Sequence, residues 1–402
     1  MFSSKPYDFA IIGGGIIGAA TAMALQMKSD HKILIIEAED RLAAHQTGNN
    51  SGVIHSGLYY KPNSLKAKNC TDGRELMYRF CEENNIPFEK CGKIVVAGDE
   101  SELESLNMLY ERGIANGLEG LKKLNAAELK EFEPNVSGIA GLLVPQTGIV
   151  DYKKVTEVYA AKVKDNNGEI KLNCKFLSVK KTGNALIIST NLGELKTKFL
   201  VNCGGLYSDR IAKICGVDPG LMIIPFRGEY YKLKSDKEHL VKNLIYPVPD
   251  PNFPFLGVHF TRMIDGGVEA GPNAVLAFKR EGYSHSDISL RDVSEMITYI
   301  GFWRMVLKYY KMGFGEFYRS ASKSAFINAL KKLVPDIELD SIEKGGAGVR
   351  AQALEASGKL VDDFRIVEAE RMIHVLNAPS PAATASISIG NYIAELIKRR
   401  YN

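Results

Sequence analysis

The 402-residue sequence has no run of five or more basic residues, and its charges nearly cancel. It contains 51 lysines and arginines against 47 aspartates and glutamates, a formal net charge of +4. Nucleic-acid-binding domains concentrate positive charge in tracts or on one face, so the composition argues against nucleic acid as the main partner. With 45% hydrophobic residues, the chain is long enough for two cores at roughly 100–200 residues per domain.

Cysteine is sparse, and its spacing does not suit metal binding. None of the six cysteines forms a CxxC pair, the spacing found in zinc knuckles and thioredoxin-type redox motifs. We therefore expect no metal site, and we expect reduced, mostly buried thiols in a cytoplasmic protein.

Uninterrupted hydrophobic runs are missing as well. Residues 9–27 and 372–394 contain no Asp, Glu, Lys or Arg. Four glycines divide the first run into a strand, a turn and a helix, and Pro379 and Pro381 divide the second. We predict no transmembrane helix, with a cleaved signal peptide or a membrane span as the alternative interpretation of residues 9–27.

Glycine is in excess, with 37 copies, and one cluster forms a GxGxxG motif at Gly13, Gly15 and Gly18. The motif lies between a predicted strand at 7–12 and a predicted helix at 17–27, and a second strand is predicted at 32–37. In such a βαβ unit the glycines allow a tight turn that brings a pyrophosphate to the helix N-terminus. Glu37, about 20 residues after the motif, is placed to accept hydrogen bonds from a ribose and to repel the 2′-phosphate of NADP.

Three further segments favour FAD over NAD. Residues 47–57 (TGNNSGVIHSG) form a polar loop soon after Glu37, and residues 199–209 lead from a strand through Gly204 and Gly205 to a helix. The glycine-rich residues 345–350 and the loop at 380–384 repeat this pattern near the C-terminus. Each could be a surface turn when taken alone, but together they predict one extended cofactor held by separate parts of the chain.

The remaining pattern is mixed. Strands are predicted at 93–97, near 170–180, at 185–190 and at 197–202, and helices at 100–116 and 151–165. Residues 221–280 alternate strands with Pro and Gly turns, as an antiparallel sheet does. Residues 287–333 are predicted to be mainly helical, followed by a strand at 372–376 and a helix at 383–398.

Several of these motifs resemble the FAD-dependent oxidoreductases related to D-amino-acid oxidase, glycine oxidase and glycerol-3-phosphate dehydrogenase. Within that group the chain is most similar to the L-2-hydroxyglutarate dehydrogenase/oxidase family, over residues 7–398. The segments that carry the closer likeness are TGNNSGVIHSGLYY (47–60), PFRGEYY (225–231), GVHFTR (257–262), GPNAVLA (271–277) and NAPSPAAT (377–384).

The resemblance implies an α/β fold (α+β overall) with a glutathione-reductase-type, Rossmann-like FAD domain and a substrate domain built on an antiparallel sheet. The FAD domain would comprise residues 1–90, 146–218 and 345–402, and the substrate domain residues 91–145 and 219–344. FAD would be bound non-covalently. The residues implied for it are Gly13, Gly15, Ile17, Gly18, Glu37, Thr47, Asn50, Ser51, Gly52, Val53, Phe176, Gly204, Gly205, Ala382, Ala383 and Thr384.

The implied reaction is oxidation of L-2-hydroxyglutarate to 2-oxoglutarate, which needs a base for the hydroxyl proton. Histidine suits that role because its ordinary pKa is near 6.5. His55, in the loop on the flavin side, is our first candidate, with a structural role or a covalent flavin link as alternatives. His259, on a predicted strand of the substrate sheet, is the second candidate.

Carboxylate substrates also need cationic anchors. Arg350 resembles the arginine that holds the substrate carboxylate in D-amino-acid oxidase-like enzymes, and a guanidinium binds a carboxylate bidentately. Related oxidases commonly have Gly-x-Arg-Pro, whereas Ala351 follows Arg350 here. For the second carboxylate the candidates are Arg262, Tyr230 and Tyr231, while Arg227 is expected at a turn or sheet end.

The reduced flavin must pass its electrons to a quinone or to oxygen. Residues 295–319 place Trp303, Leu307 and Phe314 at helical spacing, with Arg304 and Lys308 beside them. This segment could contact a membrane surface peripherally, on the inner face of the cell membrane, or it could pack on its own domain. The alternatives for the whole chain are an amino-acid, glycine or glycerol-3-phosphate oxidising enzyme on the same fold, or a non-catalytic flavin-binding protein.

Overall fold

The computed structural model describes residues 2–27, 30–250 and 256–401. In chain order the strands are β1 (Tyr7–Ile12), β2 (Ile33–Ile36), β3 (Val53–Ile54), β4 (Phe88–Glu89), β5 (Lys93–Ala97), β6 (Lys122–Asn125), β7 (Ala140–Val144), β8 (Gly148–Val150), β9 (Glu169–Lys171), β10 (Phe176–Thr182), β11 (Ala185–Thr190), β12 (Gly193–Asn202), β13 (Leu221–Leu233), β14 (Leu244–Pro247), β15 (His259–Arg262), β16 (Val268–Gly271), β17 (Val275–Leu276), β18 (Ile342–Glu355), β19 (Arg365–Ala369) and β20 (Met372–Asn377).

The helices are α1 (Ile16–Gln26), α2 (Leu65–Glu83), α3 (Leu103–Ala115), α4 (Ala126–Phe132), α5 (Tyr152–Asp165), α6 (Ser208–Ile214), α7 (Leu290–Thr298), α8 (Ile300–Ala321), α9 (Lys323–Leu330) and α10 (Ser386–Tyr401). In the described ranges no helix is both long enough and apolar enough to cross a membrane.

The first sheet has a parallel centre in the order β9–β2–β1–β12, with β20 also parallel to β12. Strands β10 and β11 extend it as an antiparallel meander. Along β1, Phe9 and Ile11 join the core formed with α1 and α10, whereas Ala10 and Ile12 join the core on the opposite face. The apolar run at 7–12 is therefore a strand buried on both faces, as predicted.

The second sheet has the order β17–β13–β16–β15–β14–β5–β7–β6, and β18 pairs antiparallel with β13 along almost its whole length. The strand predicted at 93–97 is confirmed. The sheet is mixed, because β14 runs parallel to β5. A small third sheet has the order β3–β8–β4.

Two sequence predictions in the C-terminal part are wrong. Residues 345–350, which the sequence assigned to the FAD-binding part, lie inside the long strand β18 of the second sheet and do not form the alternative surface turn. The last helix begins at Ser386, so Ala382, Ala383 and Thr384 belong to the loop before it. The prediction failed in β18 because glycines are normally depleted in strands, and only the pairing with β13 makes this run extended.

Candidate functional site

The GxGxxG motif forms a closely packed turn between β1 and α1. Gly13 has φ +108°, and a Cβ there would lie 2.4 Å from the carbonyl oxygen of Cys203. A Cβ on Gly18 would lie 2.0 Å from the carbonyl oxygen of Gly13. Both positions accept glycine alone, because neither contact can be relieved by moving a side chain.

The start of α1 is shaped to accept an anion. Its N-cap, Gly15, has no side chain to bond the helix N–H groups, and Thr47 Oγ1 accepts from the Ile16 N–H at 3.1 Å. Glu37 lies beside the turn, where its carboxylate accepts from the Gly14 N–H at 2.6 Å and the Glu39 N–H at 2.9 Å. The glycine cradle, the helix N-terminus and the adjacent carboxylate fit the pyrophosphate and ribose of FAD.

The loop at 47–52 is held by its own side chains. The Asn50 amide donates to the carbonyls of Gln46 and Thr47 and accepts from the Gly52 N–H. Gly52 has φ +65° and lies against the Val150 carbonyl, and Val53 pairs with Ile149 in the third sheet. Because the Asn50 side chain is used inside the loop, a cofactor there would meet chiefly backbone atoms and Ser51.

A second glycine turn follows β12. The Gly204 N–H donates to Asn202 Oδ1 at 3.0 Å, and Gly205 adopts φ +51°. The Cys203 N–H donates to the Ile12 carbonyl, which places this turn beside the GxGxxG turn. Phe176 begins β10 just after Cys174, whose N–H donates to the Glu37 carbonyl, so Phe176 lies near the glutamate end of the cradle.

Thr384 joins the C-terminal loop to the loop of His55. Its Oγ1 accepts from the His55 N–H at 3.0 Å and lies 2.9 Å from the Tyr152 hydroxyl, and its side chain is buried. The His55 carbonyl in turn accepts from the Cys70 thiol. The position of His55 is thus fixed through its backbone, and its imidazole Nε2 lies 3.4 Å from the Ser380 hydroxyl.

The two candidate histidines lie close together and are uncharged. Burial, followed by the charge of Lys93, lowers the pKa of His55 to about 3. Burial also lowers the pKa of His259 to about 4, against the opposing effect of its bond to Gly257. Since a carbonyl only accepts, His259 Nδ1 donates to the Gly257 oxygen at 2.8 Å, and Nε2 carries the free lone pair. Both imidazoles are therefore unprotonated at neutral pH.

Arg350 and Tyr230 lie next to this pair. Arg350 on β18 pairs with Phe226 on β13 and lies on the same face of β18 as Gly348. A Cβ built on Gly348 would lie 2.3 Å from the carbonyl oxygen of Asn49. That face therefore meets the 47–52 loop. The charge of Arg350 lowers the pKa of both histidines, and burial raises the pKa of Tyr230 to about 12, so Tyr230 stays protonated.

Lys93 was missed by the sequence analysis, although it is one of the largest fully buried side chains. It is 2% exposed, and its Nζ lies 4.2 Å from the ring centre of Tyr59 and 5.0 Å from that of Tyr246. Burial lowers its pKa to about 7. The sequence did contain a signal for this burial. Lys93 begins the segment KIVVA, in which polar and apolar residues do not alternate, and such a pattern predicts a strand buried on both faces.

Three more residues singled out in the sequence have defined contacts. Tyr231 packs on Phe326 of α9 with ring centres 4.7 Å apart, in the core of the second sheet, because neighbouring strand residues face opposite ways. Arg262 forms an ion pair with Glu89 at 2.5 Å, while its buried Nε has no hydrogen-bond partner among the described residues, so its contact with substrate stays a prediction. Arg227 is buried within β13 and pairs with Glu229 at 2.9 Å, so it lies at neither a turn nor a sheet end.

One group of potential metal ligands, Glu39, His45 and Glu281, has its ligand atoms within 4.8 Å of one another. His45 Nε2 lies 3.2 Å from Glu39 and 3.7 Å from Glu281, while Nδ1 bonds the Tyr283 hydroxyl at 3.0 Å. Because both ring nitrogens already have partners, we interpret this group as a polar contact between the loop after β2 and the loop before α7.

Comparison with known proteins agrees with this geometry. A sequence profile described as FAD dependent oxidoreductase matches residues 8–396. L-2-hydroxyglutarate dehydrogenase of Indibacter alkaliphilus is 55% identical over 397 residues, which cover 98% of this chain and 100% of that protein. The enzymes of that name from Escherichia coli K12 and, as a mitochondrial protein, from Homo sapiens are 46% and 42% identical, covering 98% and 99% of this chain and 93% and 90% of theirs.

Solved structures show the same fold. L-alpha-glycerophosphate oxidase from Mycoplasma pneumoniae, with FAD bound, has a TM-score of 0.80 and 24% identity, covering 98% of this chain and 95% of that one. Glycine oxidase from Geobacillus kaustophilus has a TM-score of 0.74 and 17% identity, with the same coverages. With the family profile spanning nearly the whole chain, and the glycine cradle in place, the chain belongs to the FAD-dependent oxidoreductases.

Proposed function

We propose that this chain oxidises L-2-hydroxyglutarate to 2-oxoglutarate. The observation that carries the proposal is a pair of neutral histidines, half-buried His55 and buried His259, beside Arg350, a combination suited to oxidation of a 2-hydroxy acid. Relatives named L-2-hydroxyglutarate dehydrogenase, similar over their whole length, support the choice of substrate.

In this proposal each side chain has a distinct task. When bound, FAD supplies the acceptor for the hydride that leaves C2. His55 removes the hydroxyl proton, so the C–O bond becomes a carbonyl as one hydride and one proton depart. Arg350 binds the C1 carboxylate through its planar guanidinium, and Tyr230 remains a hydrogen-bond donor beside it.

We assign the cofactor to the loops around the first sheet. Gly13, Gly15 and Gly18 would receive the pyrophosphate, Glu37 the ribose, and residues 204–205 and 382–384 the rest of FAD. The FAD-binding part would comprise residues 1–90, 146–218 and 356–402, and the substrate part residues 91–145 and 219–355. The last boundary follows the pairing of β18 with β13.

A substrate panel tests the proposal. The FAD-loaded protein is assayed with an artificial electron acceptor and L-2-hydroxyglutarate, glycine, D-alanine or glycerol-3-phosphate. We expect turnover with L-2-hydroxyglutarate and at least about 100-fold lower kcat/KM with the others, since a site built for particular polar groups rejects analogues that lack them. Preference for an amine or for glycerol-3-phosphate would replace this function with another on the same fold.

We also propose that α8 binds the surface of an anionic membrane and that a quinone there receives the electrons. Large apolar side chains at helical spacing are exposed on this helix: Ile300, Trp303, Leu307, Tyr310 and Phe314. Leu307 is 76% exposed and Phe314 74%, with Arg304, Lys308 and Lys311 alongside. Exposed apolar stripes with basic borders favour membrane interfaces.

Changing both Leu307 and Phe314 to glutamate should weaken binding to phosphatidylglycerol vesicles at least about 30-fold. The reason is that two apolar side chains that would be buried in the membrane on binding are lost. Vesicle co-sedimentation measures the binding, and reduction of FAD by substrate should stay unchanged. Leu192→Glu, at an exposed leucine of the β11–β12 turn, is the matched control. Equal sedimentation of the wild type, the double variant and Leu192→Glu would contradict the proposal. Unchanged electron transfer from the double variant to a membrane quinone, or transfer from the wild type to oxygen alone, would also contradict it.

A further inference from the structure

The buried Lys93 ammonium has no acidic partner in the described part of the chain. Two tyrosine rings, Tyr59 and Tyr246, contact it, and the Cys70 thiol is the nearby group that favours its charge. A buried cation without an anion is costly, even over aromatic rings, and is normally kept only where an anion will meet it.

The order of strands places Lys93 and Arg350 on opposite sides of His259. His259 is on β15; Lys93 is two strands away on one side, through β14 to β5, and Arg350 is three strands away on the other, through β16 and β13 to β18. The charges of both cations act on His259 and on His55. His259 therefore lies between the strands of the two cations, and His55 is close enough to both for their charges to lower its pKa.

This arrangement matches a dianion with a reactive carbon near one end. If Arg350 binds the C1 carboxylate and the histidines face the C2 hydroxyl, the far end of the molecule points toward β5. Building on the proposed function, we propose that Lys93 binds the C5 carboxylate and thereby selects 2-hydroxy dicarboxylic acids over 2-hydroxy monocarboxylic acids of equal length.

The proposal predicts a direction for pH dependence. The groups facing Lys93 are Tyr59, Cys70, Tyr246, His55 and His259. Burial raises the pKa of the Cys70 thiol to about 12 and also raises the pKa of Tyr59 and Tyr246. Burial lowers the pKa of His55 to about 3 and that of His259 to about 4. Between pH 6 and 9 Lys93 is thus the member of this group that titrates. Because only its protonated form binds an anion strongly, affinity for a dicarboxylate should fall as pH rises above about 7.

The test compares two ligands on the FAD-loaded protein by isothermal titration calorimetry: 2-oxoglutarate and 2-oxovalerate, which lacks only the C5 carboxylate. Lys93→Met should weaken 2-oxoglutarate about 100-fold, the scale for removing one partner of a buried charge pair, and change 2-oxovalerate less than about 2-fold. Lys123→Met is the matched control, since Lys123 lies 4.4 Å from the Tyr110 ring on the exposed strand β6.

Titrations in buffers of different ionisation enthalpy add a second readout. At pH 8 the wild type should take up about one proton with 2-oxoglutarate, and Lys93→Met none. Equal losses for both ligands, no loss for either, or no proton uptake by the wild type would overturn the proposal. If Lys93→Met does not retain FAD, Lys93→Gln takes its place in the comparison of the two ligands. The pH dependence of 2-oxoglutarate affinity is then also measured on the wild type. A wild type that binds 2-oxoglutarate but is not reduced by L-2-hydroxyglutarate would instead disprove the proposed function.

Discussion

Replacing His55 by glutamine is expected to slow reduction of the flavin by L-2-hydroxyglutarate about 1000-fold, with FAD still bound. General base catalysis typically contributes 10²–10⁴-fold. Glutamine retains polar contacts near Ser380, 3.4 Å from His55 Nε2, but cannot take up a proton. The backbone bonds to Thr384 and Cys70 do not involve the side chain, so the loop should keep its shape. Anaerobic stopped-flow absorbance measures the rate.

His259→Gln is the control that separates the two histidines. His259 is tied through Nδ1 to the Gly257 carbonyl, and its ring lies 4.0 Å from that of Tyr246. If His259 positions the substrate without taking the proton, its replacement should cost about 10-fold. A larger loss for His259→Gln than for His55→Gln would move the base to His259. A small loss for both would show that neither imidazole accepts the proton.

Changing Gly18 to alanine is expected to weaken FAD binding at least about 100-fold. The new methyl group would lie 2.0 Å from the Gly13 carbonyl oxygen, so the turn that presents N–H groups to the pyrophosphate must open. Overpacking against backbone costs several kilocalories per mole, about the free energy of such an affinity loss. The absorbance ratio of the purified protein and reconstitution of the apoprotein with FAD measure the effect.

Gly346→Ala provides the control for that substitution. Its Cβ would have no atom within 4 Å, and its φ is outside the left-handed region. The variant should hold FAD as the wild type does. If Gly18→Ala also binds FAD normally, the cradle described for residues 13–18 does not hold the pyrophosphate.

The nucleotide-binding part of the fold was predictable because its signals are local. The strand, glycine turn, helix and second strand follow one another within residues 7–37, and each has its own pattern of apolar residues or glycines. The buried strand at 93–97 was predictable for the same reason.

The substrate side was less accessible from sequence. Tyr230 and Tyr231 are adjacent, and only the pairing of β13, which is irregular between Glu229 and Tyr231, decides which ring enters the core with Phe326. Lys93 acquires its environment from Tyr59 and Tyr246, which lie far from it in the sequence. The ion pair of Arg262 with Glu89 is likewise indicated by no local pattern in the sequence.

A single anaerobic turnover tests the central claim most directly. The FAD-loaded protein is mixed with excess L-2-hydroxyglutarate without oxygen, and the flavin absorbance and the 2-oxoglutarate formed are both measured. Our account predicts complete bleaching with one 2-oxoglutarate for each FAD reduced. Flavin that remains oxidised, or that bleaches without formation of 2-oxoglutarate, would contradict it.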